Sequence, residues 1–539
     1  MDEPSPWAAV PIRLARRRPC SVLTFITTVA EVRVTMGANG IESDIRDRHL
    51  NAHERATANL EFAGWIDGET YAGTDQFAPR DPVTDDPIVD VAMCTSTDVD
   101  TAVDAAWDAF DDEWSTAGPA DRAAAIREWA GVLADHLEEL TLLESLDTGK
   151  PIGDARGEVE GMIRTLEYYA SLARTQRGAH VPTGEDVHLY TRHEPFGVVG
   201  GIVPWNFPAW VAAWKLGPAL AAGNTAVLKP AKATPLTTIR IAQLSKAIFP
   251  DGVINVVPGS GAGVGGAIAD HDGIRKVSFT GSSAVGRQVM ERAAETVTPV
   301  TLELGSKSPF IVFPDADLDR AANAVADGIF YSTGEICDAF SRAIVHEDVY
   351  DEFLDRFLEI ARSHVIGDPL DPETTLGPLT TASQYETVSE YIDTGQREGA
   401  TLAFGGGRPD DPDLEDGWYV EPTVFTDVTP EMRIAREEIF GPVQTVLSFS
   451  EYDEAIEMAN DTEYGLAAGI GTERTSLAHN AAADLEAGVV YVNEYGPILP
   501  DAPYGGVKQS GVGRDLGEEA LDHYRQTKTV YTNIDEPSL

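Results

Sequence analysis

Cysteine and lysine are both scarce in this 539-residue chain. The three cysteines, Cys20, Cys94 and Cys337, are too few and too scattered for a disulfide framework or a zinc site, so no metal is expected and a reducing cytoplasm suits them. Nine lysines occur in all, and five of them (Lys215, Lys229, Lys232, Lys307 and Lys508) fall inside the motifs described below, which makes them candidates for specific roles. Positive charge as a whole is thin: 40 Lys and Arg face 88 Asp and Glu, a net charge of −48. That balance excludes nucleic acid and anionic membrane as natural partners. No stretch reaches the roughly 18 apolar residues of a membrane span. The acid is spread along the chain, and 43% of the residues are hydrophobic, so the chain folds and carries its charge on a solvated surface. High ionic strength screens such a surface, which points to a salt-loaded cytoplasm. At this length two or three domains are expected.

Residues 1–35 depart from this pattern. Arg13, Arg16, Arg17, Arg18 and Arg33 outnumber Asp2, Glu3 and Glu31, and a mildly apolar run from Ser21 to Ala30 follows the arginines. The segment reads either as an export signal of the twin-arginine kind or as an over-extended reading frame whose true start is Met36; the second reading is preferred. Glu61 to Ala78 reads as a short hairpin. Val99, Val103, Ala106 and Phe110 form one helical apolar stripe, and Ile126, Trp129, Leu133 and Leu137 another. Strand-like runs at Phe196–Val203, Thr225–Lys229, Ile254–Val257, Lys276–Phe279 and Val300–Leu304 alternate with helical patterns near 209–222, 236–248, 261–269 and 284–294. Such alternation predicts a doubly wound parallel sheet, with ligands at the carboxyl ends of its strands near Lys229, Gly281 and Glu303. A second alternating α/β region follows Cys337 to about residue 518. Gly184–Glu194 reads as a polar arm and Lys528–Thr532 as a short edge strand.

Three groups carry the chemistry. Cys337 lies in Ser332-Thr-Gly-Glu-Ile-Cys337-Asp-Ala-Phe-Ser-Arg342, Glu303 lies 34 residues earlier in Leu302-Glu-Leu-Gly-Ser-Lys-Ser-Pro309, and Asn206 lies in Pro204-Trp-Asn-Phe-Pro208. A lone cysteine is ordinarily inert, a lone glutamate an ordinary buried acid, and an asparagine beside proline a turn residue. Together they are a soft nucleophile, a carboxylate base and a neutral amide donor, the groups that thioester chemistry needs. Phe279-Thr-Gly-Ser-Ser-Ala-Val-Gly286 leaves a strand and opens a helix, so Gly281 and Ser282 sit where backbone N–H groups can face a phosphate.

In these motifs, from about Leu60 to Thr532 and in order, the chain resembles the aldehyde dehydrogenases. The resemblance implies an α/β aldehyde dehydrogenase fold: a Rossmann-like nucleotide domain (48–183 and 196–305), an α/β catalytic domain (306–518) and a small β arm for oligomerisation (184–195 and 519–539), preceded by an extension over 1–47. It implies NAD(P)-dependent oxidation of an aldehyde to a carboxylate through a Cys337 thiohemiacetal and thioester, with Glu303 activating water and Asn206 holding the oxyanion. Glu303 favours hydrolysis over transfer to coenzyme A. The implied cofactor-binding residues are Trp205, Lys229, Lys232, Gly259, Gly281, Ser282, Gln384, Glu438 and Phe440. NAD-preferring relatives commonly carry Glu where this chain has Lys232, and an ammonium there favours the 2′-phosphate of NADP. Thr387 stands where a lysine is usual. Glu335, Ser306 and Phe340 replace the usual Gln, Gly and Gly, Asp338 follows the nucleophile directly, and Asp515 stands where a proton-relay Glu is frequent.

Phe207, Trp214 and Tyr504 match tunnel-lining positions of relatives, and with Asp338 they are the candidate substrate residues. Aromatic faces with a carboxylate suit a quaternary ammonium, which makes a betaine-aldehyde dehydrogenase the specific alternative to a general aldehyde oxidiser. A non-catalytic nucleotide-binding or structural protein of the same fold is the alternative of another class. A homodimer or homotetramer is expected from the arm.

Overall fold

The computed structural model describes residues 44–73, 75–184 and 186–534, so the basic segment over residues 1–35 and the start at Met36 lie outside the described residues. The first described helix, Ile45–Thr57, begins inside the segment read as an extension. An eight-stranded sheet follows the predicted alternation. Its centre is five parallel strands in the order Val300–Glu303, Lys276–Thr280, Val198–Ile202, Thr225–Lys229 and Ile254–Val256. Four of these strands are buried along their whole length, and the fifth is open only at Val300, because helices cover both faces; that is why they read as apolar runs rather than alternating ones. The hairpin Gly64–Ile66 and Glu69–Tyr71 closes one edge in antiparallel sense.

The other edge was not anticipated. Gly511–Val512, from the stretch read as catalytic, pairs antiparallel with Leu302 and Glu303 of the nucleotide sheet. This register brings Arg514 and Asp515 behind Glu303. Two helices are also shorter than their patterns suggest. Leu236–Gln243 ends early in a run of turns, and the glycine-rich stretch near 261–269 divides into a π-turn at Gly261–Gly265 and a short helix at Gly266–Asp270. Four glycines in six residues weaken a regular helix through backbone entropy.

The second sheet has seven strands, parallel except for its first, Thr401–Phe404. The helix Leu318–Phe330 enters this sheet, and the loop between it and the strand Arg342–His346 carries Cys337. The polar arm is the strand Val187–Pro195, paired in register with Arg525–Asn533 and flanked by His180–Val181. The C-terminal strand is longer than predicted because its partner supports it at every residue.

The loop that carries Cys337 is held in an unusual conformation. Ser332, Thr333 and Gly334 are consecutively left-handed, with φ of 49°, 54° and 74°. A Cβ on Gly334 would lie 2.3 Å from the backbone carbonyl of Gly441, so this loop presses on the Glu438–Pro442 turn. Gly334→Ala is therefore expected to lower stability by about 1–3 kcal/mol, from the left-handed backbone and the clash together, and to move Cys337. Chemical denaturation should show the loss; an unchanged midpoint would remove the constraint.

Candidate active site

A single cavity of about 780 Å³ opens at the carboxyl ends of the central strands. Fourteen of the sixteen residues singled out in the sequence line it; Gly259 and Asp338 do not. Gly259 is buried against Val264 and the Cys94 carbonyl, so it shapes the turn after the Ile254–Val256 strand and contributes no surface to the cavity.

Around the helix Ser283–Glu295, Ser282 is the N-cap, its hydroxyl accepting from Val285 N at 3.4 Å. Lys229 ends its strand with Nζ 2.7 Å from the Pro230 carbonyl, and burial pulls its pKa down to about 8. Lys232 is exposed, its ammonium 5.2 Å above the Phe77 ring. Arg292, which the sequence did not single out, also lines the cavity and pairs with Asp270 at 2.5 Å.

Glu438 occupies a seat that only glycine permits. A Cβ on Gly305 would lie 2.2 Å from Glu438 Oε2, while Ser306 N donates to Glu438 Oε1 at 2.8 Å. Burial pushes this carboxyl up to about 7 against the pull of Ser306 N and the Lys307 ammonium. Gln384 spans the same turn, its amide donating to the carbonyls of Ile439 and Phe440 at 2.9 and 2.7 Å. Phe440 meets Trp205 edge-on, with centroids 5.3 Å apart. Thr387 lines the cavity beside them.

Cys337 is half-buried, its Sγ 3.2 Å from the Tyr504 hydroxyl. Burial and then the Asp338 carboxylate push the thiol up, and the Tyr504 hydrogen bond opposes them. Ser306 donates its hydroxyl to the Cys337 carbonyl. Asn206 Nδ2 donates to the Glu335 carbonyl at 2.8 Å, which leaves the second amide hydrogen for another acceptor. Glu335 itself turns away, accepting from Thr380 N and Oγ1, and burial lifts its pKa to about 8.

Asp338 lies behind the cavity wall and does not line it, which corrects its place among the substrate residues; the Tyr504 hydroxyl, which does line it, also acts on this carboxylate. Its two oxygens accept from the Tyr495 and Tyr491 hydroxyls at 2.9 and 3.2 Å, and it is fully buried. Phenols at those two positions give the carboxylate somewhere better to go than the cavity wall. The wall is aromatic instead: Phe207, Trp210, Trp214 and Tyr504 succeed one another, with Trp214 and Tyr504 centroids 5.2 Å apart.

Glu303 lines the cavity, and among the described residues neither carboxylate oxygen has a well-aligned hydrogen-bond partner, the Asp515 backbone N–H acting on it only weakly. Its pKa is raised, first by burial and then by Asp515, against the attraction of Lys215 and Arg514. Lys215 donates to Ser278 and Thr280 at 2.9 Å each and stands 3.6 Å from Asp515. The scarcity of lysine in the chain and its place in the apolar helix Pro208–Ala222 mark it in the sequence, but not its link to Glu303.

Comparison with known proteins identifies the family to which this fold belongs. The aldehyde dehydrogenase family model matches residues 65–530. An aldehyde dehydrogenase of Emericella nidulans is 44% identical over 88% of this chain and 94% of its own length, and retinaldehyde dehydrogenase 3 of Rattus norvegicus is 45% identical over 86% and 90%. Among solved structures, the NAD+ complex of an aldehyde dehydrogenase from Bacillus cereus superposes with a TM-score of 0.87 at 44% identity, covering 89% of this chain and 98% of that one. Betaine aldehyde dehydrogenase from Staphylococcus aureus, in complex with NAD+, superposes at 0.89 with 38% identity, covering 91% and 98%. The chain belongs to the aldehyde dehydrogenase family and is an oxidoreductase acting on aldehydes.

The two neighbours of the thiol pull in opposite directions, which gives a signed test. Asp338→Asn removes the repelling anion and should speed alkylation of Cys337 by iodoacetamide several-fold at neutral pH. Tyr504→Phe removes the favourable hydrogen bond and should slow it. Changes of the same sign in both variants would mean that packing, not charge, governs the thiol.

Proposed function

We propose that Cys337 is the nucleophile, Glu303 the base and Asn206 the oxyanion donor of a hydrolytic, NAD(P)-dependent aldehyde dehydrogenase. The observation that carries this is their convergence: the thiol, the buried carboxylate and the amide all line one cavity, with the rings of Phe207, Trp210, Trp214 and Tyr504 beside them. Sγ releases its proton to water and adds to the aldehyde carbon, the carbonyl pair moves onto oxygen, and the oxyanion that forms accepts from Asn206 Nδ2 and the Cys337 N–H. Bound in the cavity, the oxidised nicotinamide ring supplies the hydride acceptor. Loss of hydride leaves a thioester on Cys337. Glu303 then takes a proton from water, the water oxygen attacks the thioester carbon, and the carboxylic acid leaves as the thiol is restored.

The residues present fit a dinucleotide. Glu438 offers carboxylate oxygens to ribose hydroxyls, the N-terminus of Ser283–Glu295 faces the cavity for a pyrophosphate, and Lys229 lies beside Gly265 and the adjoining glycine turn. Lys232 favours NADP, because a free ammonium at the cavity rim attracts a 2′-phosphate that a carboxylate would repel.

The substrate reading is a neutral apolar or aromatic aldehyde. Phe207, Trp210, Trp214 and Tyr504 present ring faces and edges, and the Asp338 carboxylate is not part of the cavity wall. Betaine aldehyde is the second reading, favoured by the same rings through cation–π attraction and by the likeness to the Staphylococcus aureus enzyme. We place nucleotide binding in residues 48–183 and 196–305 and catalysis in 306–518. We assign 184–195 and 519–539 to the contacts of a homodimer or homotetramer, for which the exposed Tyr531 and Ile534 on the arm offer apolar surface. A net charge of −48 suits a salt-loaded cytoplasm. Among the described residues no helix is long and apolar enough to cross a membrane.

The test is nucleotide reduction in multimolar KCl with propanal, benzaldehyde and betaine aldehyde, each with NAD and NADP. Neutral aldehydes should lead, with NADP at least tenfold ahead of NAD in kcat/KM, about 1.4 kcal/mol. Cys337→Ala should abolish turnover while nucleotide still binds, and turnover surviving that change would overturn the mechanism. The base has its own signed test. Glu303 must be ionised to act, so turnover falls as pH drops through its raised pKa. Lys215→Met removes an attraction for the anion and should move that acid limb to higher pH, whereas Asp515→Asn removes a repulsion and should move it lower.

A further inference from the structure

Away from the cavity, His49, His53 and Asp81 form a buried cluster of ligating side chains, none of them more than 5% exposed. His49 and His53 lie four residues apart on the helix Ile45–Thr57, so they share a face one turn apart. Each aims a nitrogen at the same oxygen: His49 Nδ1 and His53 Nε2 both lie 2.6 Å from Asp81 Oδ2. The two rings are nearly perpendicular, with centroids 6.3 Å apart. Behind His49, its Nε2 is 2.9 Å from Asp368 Oδ1, and Arg48 holds the other oxygen of that carboxylate. Asp81 Oδ1 accepts from Val83 N at 2.8 Å, so the loop fixes this carboxylate as well.

We propose that His49, His53 and Asp81 bind a divalent transition-metal ion of the zinc class, which fastens the helix Ile45–Thr57 to the loops carrying Asp81 and Asp368. Two imidazoles and one carboxylate are a donor set that suits zinc, with water in the fourth position. Metal-bound histidines almost always give their second N–H to a carboxylate or carbonyl, and Asp368 is placed to take it from His49, leaving Nδ1 for the metal. Metal–ligand bonds of roughly 2.0–2.2 Å put tetrahedral ligand atoms roughly 3.3 Å apart, so the present pairs need to part by less than about 1 Å. A hydrogen-bonded cluster alone explains the convergence less well. Two imidazole donors on one oxygen at 2.6 Å are closer than N–H···O bonds ordinarily run. None of the three ligands lines the aldehyde cavity.

The experiment uses the full chain carrying Cys337→Ala, which removes the thiol as a competing metal ligand. It is freed of metal by chelation and kept in 2 M KCl to suppress adventitious binding to the acidic surface. Co2+ is titrated first and Zn2+ then competes. One equivalent of Co2+ should give the intense visible bands of a low-coordinate site, Zn2+ should abolish them, and Zn2+ should raise the melting temperature by about 5 °C. His53→Gln keeps an N–H donor for Asp81, so a cluster held only by hydrogen bonds would fold and respond to metal just as its parent does. The proposal expects this variant to fold, by circular dichroism, but to lose both the cobalt spectrum and the zinc-dependent rise, and Asp81→Asn to lose them too. Absence of stoichiometric binding in the parent, or binding that survives His53→Gln, would overturn it.

Discussion

The arrangement of the cavity depends on one costly group, a buried carboxylate that has no well-aligned hydrogen-bond partner among the described residues. Taking a carboxylate out of water without compensation is expensive, and the usual remedy is for the group to stay protonated. Glu303 is held there by a covalent fact, its position at the end of a central strand whose backbone is committed on both sides: Thr280 and Glu303 are register partners on one flank, and Glu303 and Gly511 on the other. Fixed in this way, the side chain cannot retreat to solvent. Lys215, Arg514 and Asp515 then set how readily it gives up its proton. The same short strand that completes the sheet thus delivers two of the three charges that tune the base.

A similar economy governs the thiol. The left-handed run Ser332–Gly334 lets the chain turn sharply out of the preceding helix, and it does so against the turn that carries Glu438. Ser306 links the two sides, its N–H on Glu438 and its hydroxyl on the Cys337 carbonyl. Cys337 and Glu438 are therefore not independently placed, and displacement of one is felt by the other. Asp338, the residue that looked most out of place in the sequence, is accommodated by the Tyr491 and Tyr495 hydroxyls on the far side of the loop.

The parallel sheet was legible because buried strands and crossover helices leave long apolar runs of distinct period, and Cys337, Asn206 and Glu303 because their motifs occur together and in order. What the sequence hid was of two kinds. Gly511–Val512 is two residues long, with no periodicity to detect, and its partner strand lies about two hundred residues earlier. The directions of Asp338 and Glu335 depend on partners remote in sequence, the phenols of residues 491 and 495 and the Thr380 backbone, which no local pattern announces. Gly259 carried a resemblance to a binding loop, yet its lack of a side chain serves packing against Val264.

The long-range pairings also set an order of assembly during synthesis. The strand Val187–Pro195 waits for Arg525–Asn533, and the edge beside Glu303 waits for Gly511–Val512, so neither closes until nearly all described residues have left the ribosome. Pairings of such high contact order form late and leave strand edges open in the meantime. On a growing chain, the Val300–Glu303 strand and the arm are thus the surfaces most exposed to wrong partners. A dense negative charge on every nascent copy, repelling its neighbours on the same message, is a protection that works before any fold exists.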